Sequence, residues 1–254
     1  MKITILTLFP KMVQGPFEES ILKRARDKGL LEMEAVYIRD YAEGRHLVTD
    51  DYPFGGGAGL VMKPEPIFRA LDDVLAKSAE RRGVEGRSPR IILMDPQGEL
   101  FNQEKAWELS REDELIFICG HYEGIDARVR QACTDEMSIG DFVLTGGELA
   151  AMVISDAVVR LIPGVLAEES PLSESFADGI LEGPQYTRPR EFRGLEVPEI
   201  LVSGDHGKVA RWRRKEGLRR TLHSRPDLLE ETKLSEDDRK LLREIRSEED
   251  GELS

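Results

Sequence analysis

An α/β fold with a mostly parallel sheet, continued into a small helical domain, is predicted by three features of this 254-residue sequence. Short apolar runs alternate with amphipathic patterns through the first two-thirds of the chain, as strands covered on both faces by helices require. Three glycine-bearing loops follow such runs, where sheets of this kind collect ligands. After Gly183-Pro184 the composition turns helical and strongly charged.

The elements follow in order. Residues 2–9 read as a buried first strand; Ile3-Thr4-Ile5-Leu6-Thr7-Leu8-Phe9 stops at Pro10, too short for a signal-peptide core with its cleavage site or for a membrane span. A helix is expected over 17–28, entered after Gly15-Pro16, and a strand over 31–38. Ile67, Phe68, Leu71, Val74 and Leu75 recur at helical spacing and predict an amphipathic helix over 64–77. Residues 90–94 and 114–119 are short strands of buried type, separated by a helix over 103–110. A long apolar helix is expected over 147–162, stopped by Pro163-Gly164. Residues 166–179, rich in Glu, Ser and Ala, predict a mobile linker between a first domain, 1–165, and a helical domain, 180–254. The acidic chain beyond Leu229 reads as a fraying terminus.

Composition narrows the function. With 40% hydrophobic and 33% charged residues, the chain has the material for a packed core and is not of disordered type. Cys119 and Cys133 belong to no metal-ligand cluster and make no disulfide framework, so a reducing, cytoplasmic setting without a membrane is expected. A net charge of −13 excludes a general nucleic-acid coat, because phosphate binding needs positive surface. Between Lys208 and Arg225, however, eight Lys and Arg face one Glu. One concentrated basic element on an acidic protein points to a defined RNA contact.

The loops carry the chemistry. Thr49-Asp50-Asp51-Tyr52-Pro53-Phe54-Gly55-Gly56-Gly57-Ala58-Gly59 pairs two acids with glycines, as a phosphoribosyltransferase does, but lacks the apolar strand that should precede it. Asp95-Pro96-Gln97-Gly98 and Gly120-His121-Tyr122-Glu123-Gly124-Ile125-Asp126 each follow a strand, and Ser138-Ile139-Gly140-Asp141-Phe142-Val143-Leu144-Thr145-Gly146-Gly147-Glu148 precedes the long helix. None fits the dinucleotide or nucleoside-triphosphate glycine motifs. Loops mixing glycine with apolar residues suit an uncharged, adenine-like ligand held by backbone groups.

These same segments resemble the bacterial tRNA (guanine-37, N1) methyltransferases of the knotted SPOUT class. Leu8-Phe9-Pro10, Asp51 with Gly55-Gly56-Gly57, Pro96-Gln97-Gly98, the Gly120 and Ser138 motifs, Ile162-Pro163-Gly164-Val165-Leu166 and Tyr186-Thr187-Arg188-Pro189 stand in the family's order, from the first strand to near Leu229. The resemblance implies a sheet threaded into a deep trefoil knot and a homodimer whose two active sites are shared between chains. It implies a bent S-adenosylmethionine held by Leu93 and Pro96, by Gly120, Tyr122, Glu123 and Gly124, and by Ser138, Ile139, Gly140, Phe142, Leu144, Gly146 and Gly147, with Ile139 and Leu144 as walls for the adenine. The family uses magnesium, which Glu123 would help place, although no ligand spacing here marks a metal site.

Guanine N1 carries a proton, so its methylation needs a base, and a cation near O6 stabilises the developing charge. The resemblance assigns the cation to Arg160. It assigns the base to Glu174, standing before Ser175-Phe176 where the family usually has aspartate; Asp178 is the alternative. RNA binding is expected from Arg211, Arg214, Lys215, Arg219 and Arg220 on phosphate, with Arg188 and His206 as further contacts and Trp212 as the core anchor of its helix. Three other readings stay open: an inactive RNA-binding scaffold, to which Glu174 lends weight, a methyltransferase aimed at another base, and the phosphoribosyltransferase of Asp50-Asp51.

Overall fold

The computed structural model describes residues 1–83, 87–167 and 174–252. The opening apolar run forms β1 (Lys2–Thr7), with Ile3 and Ile5 in one core and Leu6 in another. The helix expected over 17–28 is two helices, α1 (Pro10–Phe17) and α2 (Ser20–Asp27). Pro10 opens α1, where a missing N–H costs nothing, and Gly15-Pro16 lie in its last turns rather than ahead of a helix. Ser20 takes a φ of 49°, in the left-handed region, which prevents the two runs from being continuous.

β2 (Glu32–Tyr37) follows, then a short hairpin, β3 (Asp50–Asp51) with β4 (Val61–Met62), which carries the glycine loop outside the main sheet. α3 (Pro64–Arg82) runs past the expected end at Lys77. β5 (Arg90–Leu100) is longer than predicted, α4 (Gln103–Leu109) and β6 (Glu114–Cys119) fall where expected, and β7 (Asp135–Ser138) was not predicted. The apolar helix is α5 (Glu148–Val159). The five main strands are parallel in the order β2-β1-β6-β5-β7. In β6 every residue is buried: Leu115, Phe117 and Cys119 enter the core under α1 and α5, and Ile116 and Ile118 the core under α3. Burial on both faces is why this strand reads as a continuous apolar run.

The chain divides into two compact units, Met1–Ala167 and Glu168–Ser254. The second contains β8 (Glu191–Phe192), β9 (Leu195–Glu196), α6 (His206–Ser224), α7 (Asp227–Glu231) and α8 (Glu236–Glu252). Two expectations are corrected here. The stretch before α6 is a small hairpin with a 3₁₀ turn at Glu199–Val202 rather than helix, since Pro184, Pro189 and Pro198 interrupt it. The acidic terminus does not fray: Leu241, Leu242 and Ile245 of α8 pack with Ile180 and Leu218 in the core of this unit.

Trp212 is also corrected. It is half-buried outside that core, with the Tyr186 ring 6.4 Å away, and Leu218 is the anchor of α6 instead. Ser235 and Asp238 cap α8 reciprocally: the Ser235 N–H and hydroxyl donate to Asp238 Oδ2 at 3.1 and 2.8 Å, and the Asp238 N–H donates back to Ser235 Oγ at 3.1 Å. Arg214 donates to both Asp238 oxygens, at 2.7 and 3.0 Å, and this pairing, with the Ser235 bonds, draws the buried carboxyl down to about 2. A depressed carboxyl stabilises the fold at pH values above its unfolded pKa and loses that contribution as pH falls toward 2. Asp238→Asn is therefore expected to cost about 2 kcal/mol at pH 7 in urea unfolding, with the gap to the parent narrowing below pH 4.

Candidate active site

Three loops converge where β5, β6 and β7 end. Gly147 donates its N–H to Gly120 O at 3.0 Å, and His121 bridges to Gly146, so the loop entering α5 is bonded to the loop leaving β6. Only glycine fits at 147, since an added Cβ would lie 2.9 Å from Met94 Cβ and 3.0 Å from Cys119 Cα. In the third loop, Ser138 Oγ accepts from the Gly140 N–H at 3.2 Å and donates to Gly140 O at 3.1 Å. The Phe142 ring lies over Gly140, where a Cβ would meet it at 2.5 Å. Tyr122 sits at φ 63°, a conformation that costs free energy and recurs at ligand sites. The hairpin supports this loop from behind: Met62 donates to Gly124 O at 2.9 Å and Asp126 to Met62 O at 3.0 Å.

A cavity of about 300 Å³ lies between these loops. Leu93 and Pro96 line it from β5, Gly120, Tyr122, Glu123 and Gly124 from the second loop, and Ser138, Ile139, Gly140, Phe142, Leu144, Gly146 and Gly147 from the third. The residues expected around the cofactor are thus brought together. His121, Gln97 and Arg130 line it as well; the first two stand in the motifs above, but none of the three is among the residues expected around the cofactor. Arg130 is held by Asp95 at 2.7 Å and by Glu136, an arrangement with no sequence signal because Arg128 is as plausible a candidate two residues away.

Neither cysteine of the chain lines this cavity. Burial, reinforced by the Glu148 carboxylate, pushes the Cys119 thiol up, and burial pushes Cys133 up to about 11. Thiols held in this way are poor nucleophiles at neutral pH. Burial and the nearby Asp50 carboxylate raise Tyr122. Among the described residues no group of three or more His, Cys, Asp or Glu could hold a metal ion. Asp50 and Asp51 sit on the short hairpin strand, not at the end of a central one, so the phosphoribosyltransferase reading lacks its required context.

Of the remaining expected residues, Arg160 belongs to the first unit and the others to the second. Arg160 caps the C-terminus of α5, while the cavity borders its N-terminus; twelve residues of helix put about 18 Å between the two ends. Glu174 begins the described part of the second unit, its carbonyl accepting from the Ala177 N–H at 3.2 Å. Much of the expected linker, residues 168–173, lies outside the described residues. The carboxylate of Asp178 is engaged by Arg214.

On α6 the basic stripe meets the acids of α8: Arg211 pairs with Glu244 at 2.7 Å, Lys215 with Glu248 at 2.5 Å, and Arg219 with Glu248 at 2.8 Å and Glu249 at 3.3 Å. Arg214 is held by Asp238 and Asp178. Arg188, His206, Arg213 and Arg220 are exposed. Arg188 and Arg213 line one surface depression together with Tyr186.

A family model described as tRNA (guanine-1)-methyltransferase TrmD matches residues 1–231. The chain belongs to this family. Proteins named tRNA (guanine-N(1)-)-methyltransferase are similar to it over nearly the whole length. That of Desulforamulus reducens is 55% identical over 249 residues, covering 97% of this chain and 96% of the relative. That of Bacillus licheniformis is 56% identical over 249 residues, 97% and 100% respectively. That of Dehalococcoides mccartyi is 56% identical over 255 residues, 99% and 100%. The family match ends just before α8. No helix among the described residues is long and apolar enough to cross a membrane.

Proposed function

We propose that this chain transfers the methyl group of S-adenosylmethionine to N1 of the guanosine at position 37 of tRNA, beside the anticodon. Identity of 55–56% over nearly the full length to relatives named tRNA (guanine-N(1)-)-methyltransferase carries the reading. The three motif loops gathered round one cavity support it. Bound S-adenosylmethionine supplies an electrophilic methyl group on a sulfonium. Leu93, Pro96, Gly120, Tyr122, Glu123, Gly124, Ser138, Ile139, Gly140, Phe142, Leu144, Gly146 and Gly147 would hold it. Backbone groups and apolar walls of that kind suit its uncharged adenine, and close-packed glycines keep the loops near enough to reach it.

Glu174 would take the proton that N1 must lose as it accepts the methyl group. Arg160 stabilises charge developing on O6. With Arg160 at the far end of α5 from the cavity, the site is completed by a second copy of the chain. Leu149 and Val153 of α5, with Phe142 and Val143, expose apolar surface consistent with a homodimer interface. A deep trefoil knot belongs to the same proposal. The chain leaves β7 on one side of β5 and is bonded at Gly147 to Gly120 at the end of β6, on the other side, so it crosses the end of β5.

Residues 1–165 then form the methyltransferase domain, 166–179 the linker, and 180–254 the tRNA-binding domain, working in the cytoplasm. Arg188, Arg213 and Arg220 are the cations that meet RNA, with His206 as a further contact, because the acids of α8 already engage Arg211, Arg214, Lys215 and Arg219. The described residues do not fit a protein-held magnesium site, so no step is assigned to the ion. Titration of the chain with S-adenosylmethionine tests the cofactor assignment. Saturable binding displaced by S-adenosylhomocysteine is expected, whereas binding of phosphoribosyl pyrophosphate instead would return the acid-pair reading.

A further inference from the structure

Glu148 opens α5 with no solvent exposure. A carboxylate is buried at acceptable cost only when its oxygens are bonded, and the N-terminal turn of a helix favours its charge. Both oxygens have partners: the Thr7 hydroxyl donates to Oε1 at 2.5 Å, and His121 Nε2 lies 2.8 Å from Oε2. Thr7 Oγ1 in turn accepts from the Phe9 N–H at 2.8 Å. A carboxylate only accepts, so this chain of bonds calls for a hydrogen on His121 Nε2.

His121 is held from every side. Its ring packs against Phe9, centroids 4.5 Å apart, and its N–H donates to the Met62 sulfur at 3.3 Å. It bridges to Gly146, where an added Cβ would collide with His121 Nε2 and lie 2.6 Å from Glu148 Oε2. The residue therefore ties four segments together on the wall of the cavity: its imidazole reaches Phe9 after β1 and Glu148 of α5, and its backbone reaches Met62 of the hairpin and Gly146.

We propose that Glu148, acting through His121, is a positioning residue for the cofactor site. It holds the loop after β6 in register against the Gly146-Gly147 turn, so that both walls stand ready before the ligand arrives. The inference rests on the reading of this cavity as the S-adenosylmethionine site.

The test uses the full chain, with S-adenosylmethionine affinity from calorimetry and KM and kcat on a tRNA transcript, for His121→Ala and His121→Gln. Alanine removes the donor to Glu148; glutamine returns an N–H close to the place of Nε2. His121→Ala is expected to raise Kd and KM for S-adenosylmethionine about tenfold or more with a smaller change in kcat, and His121→Gln to recover most of the loss. Glu148→Gln is read alongside and decides the matter if His121→Ala does not fold. Its amide donates where the carboxylate accepted, so His121 should switch to the Nδ1–H tautomer in its ¹⁵N shifts, with weakened cofactor binding. Parent-like affinity in Glu148→Gln, or no recovery in His121→Gln, overturns the proposal. A folded parent protein that binds no S-adenosylmethionine overturns instead the cofactor reading beneath it.

Discussion

Glu174→Gln is expected to lower turnover of tRNA by about 10²- to 10⁴-fold, the range that a positioned general base contributes, while S-adenosylmethionine affinity stays at the parent value. Glutamine keeps the length and hydrogen-bonding capacity of the side chain and removes only its ability to take a proton from N1. The family's usual aspartate gives a second arm: Glu174→Asp should remain active, because the acid is kept and only its reach changes. Single-turnover rates at saturating RNA and cofactor separate chemistry from binding. Turnover within a few-fold of the parent in Glu174→Gln would remove Glu174 from the base role. Asp178 would be an unfavourable replacement, since Arg214 already engages its carboxylate.

Gly98→Ala is expected to be the most damaging single-methyl change in the first unit. An added Cβ would meet the backbone of β7 itself, colliding with Glu136 C and Met137 N and lying 2.6 Å from Glu136 O. Strand backbone bonded to its neighbour cannot swing aside as a flexible side chain can, so the cost exceeds ordinary overpacking, about 3 kcal/mol or more. For a protein of this size that corresponds to a Tm lower by roughly 6–12 °C, accompanied by loss of cofactor binding as the loop at Pro96 moves. Gly15→Ala in α1, with nothing near its added Cβ, is the control and should be neutral or slightly stabilising. A Gly98→Ala protein as stable as the parent would mean that β5 and β7 do not approach in this way.

Some of this was legible in the sequence for identifiable reasons. β6 is six consecutive residues buried on both faces, so its boundaries could be read directly. The α5 helix announced itself by an apolar run between two glycines and Pro163-Gly164. β5 was read short because Pro96-Gln97-Gly98 has the composition of a turn; in the fold the strand resumes pairing with β7 after a register shift between Met94 and Glu99. β7 itself, Asp-Glu-Met-Ser at the sheet edge, buries only Met137 and Ser138 and shows no apolar alternation.

The loops round the cavity were legible because each carries its own motif, whereas Arg130 and His121 pair with residues that no motif links to them. His121 and Glu148 are 27 residues apart, and no periodicity links them. The basic character of α6 was equally plain, but its neutralisation was not. That depends on α8 folding back so that Glu244 and Glu248 meet Arg211, Lys215 and Arg219, a pairing that only tertiary packing sets.

The central claim is tested most directly by transfer of a labelled methyl group from S-adenosylmethionine to two unmodified tRNA transcripts. One carries guanosine at positions 36 and 37, and the other differs only in having adenosine at 37. Label on the first alone, recovered as N1-methylguanosine, is the predicted result. Cofactor binding without label on either transcript would contradict it and leave the chain an RNA-binding scaffold that has kept the fold, and equal label on both would place the methylated base elsewhere in the tRNA.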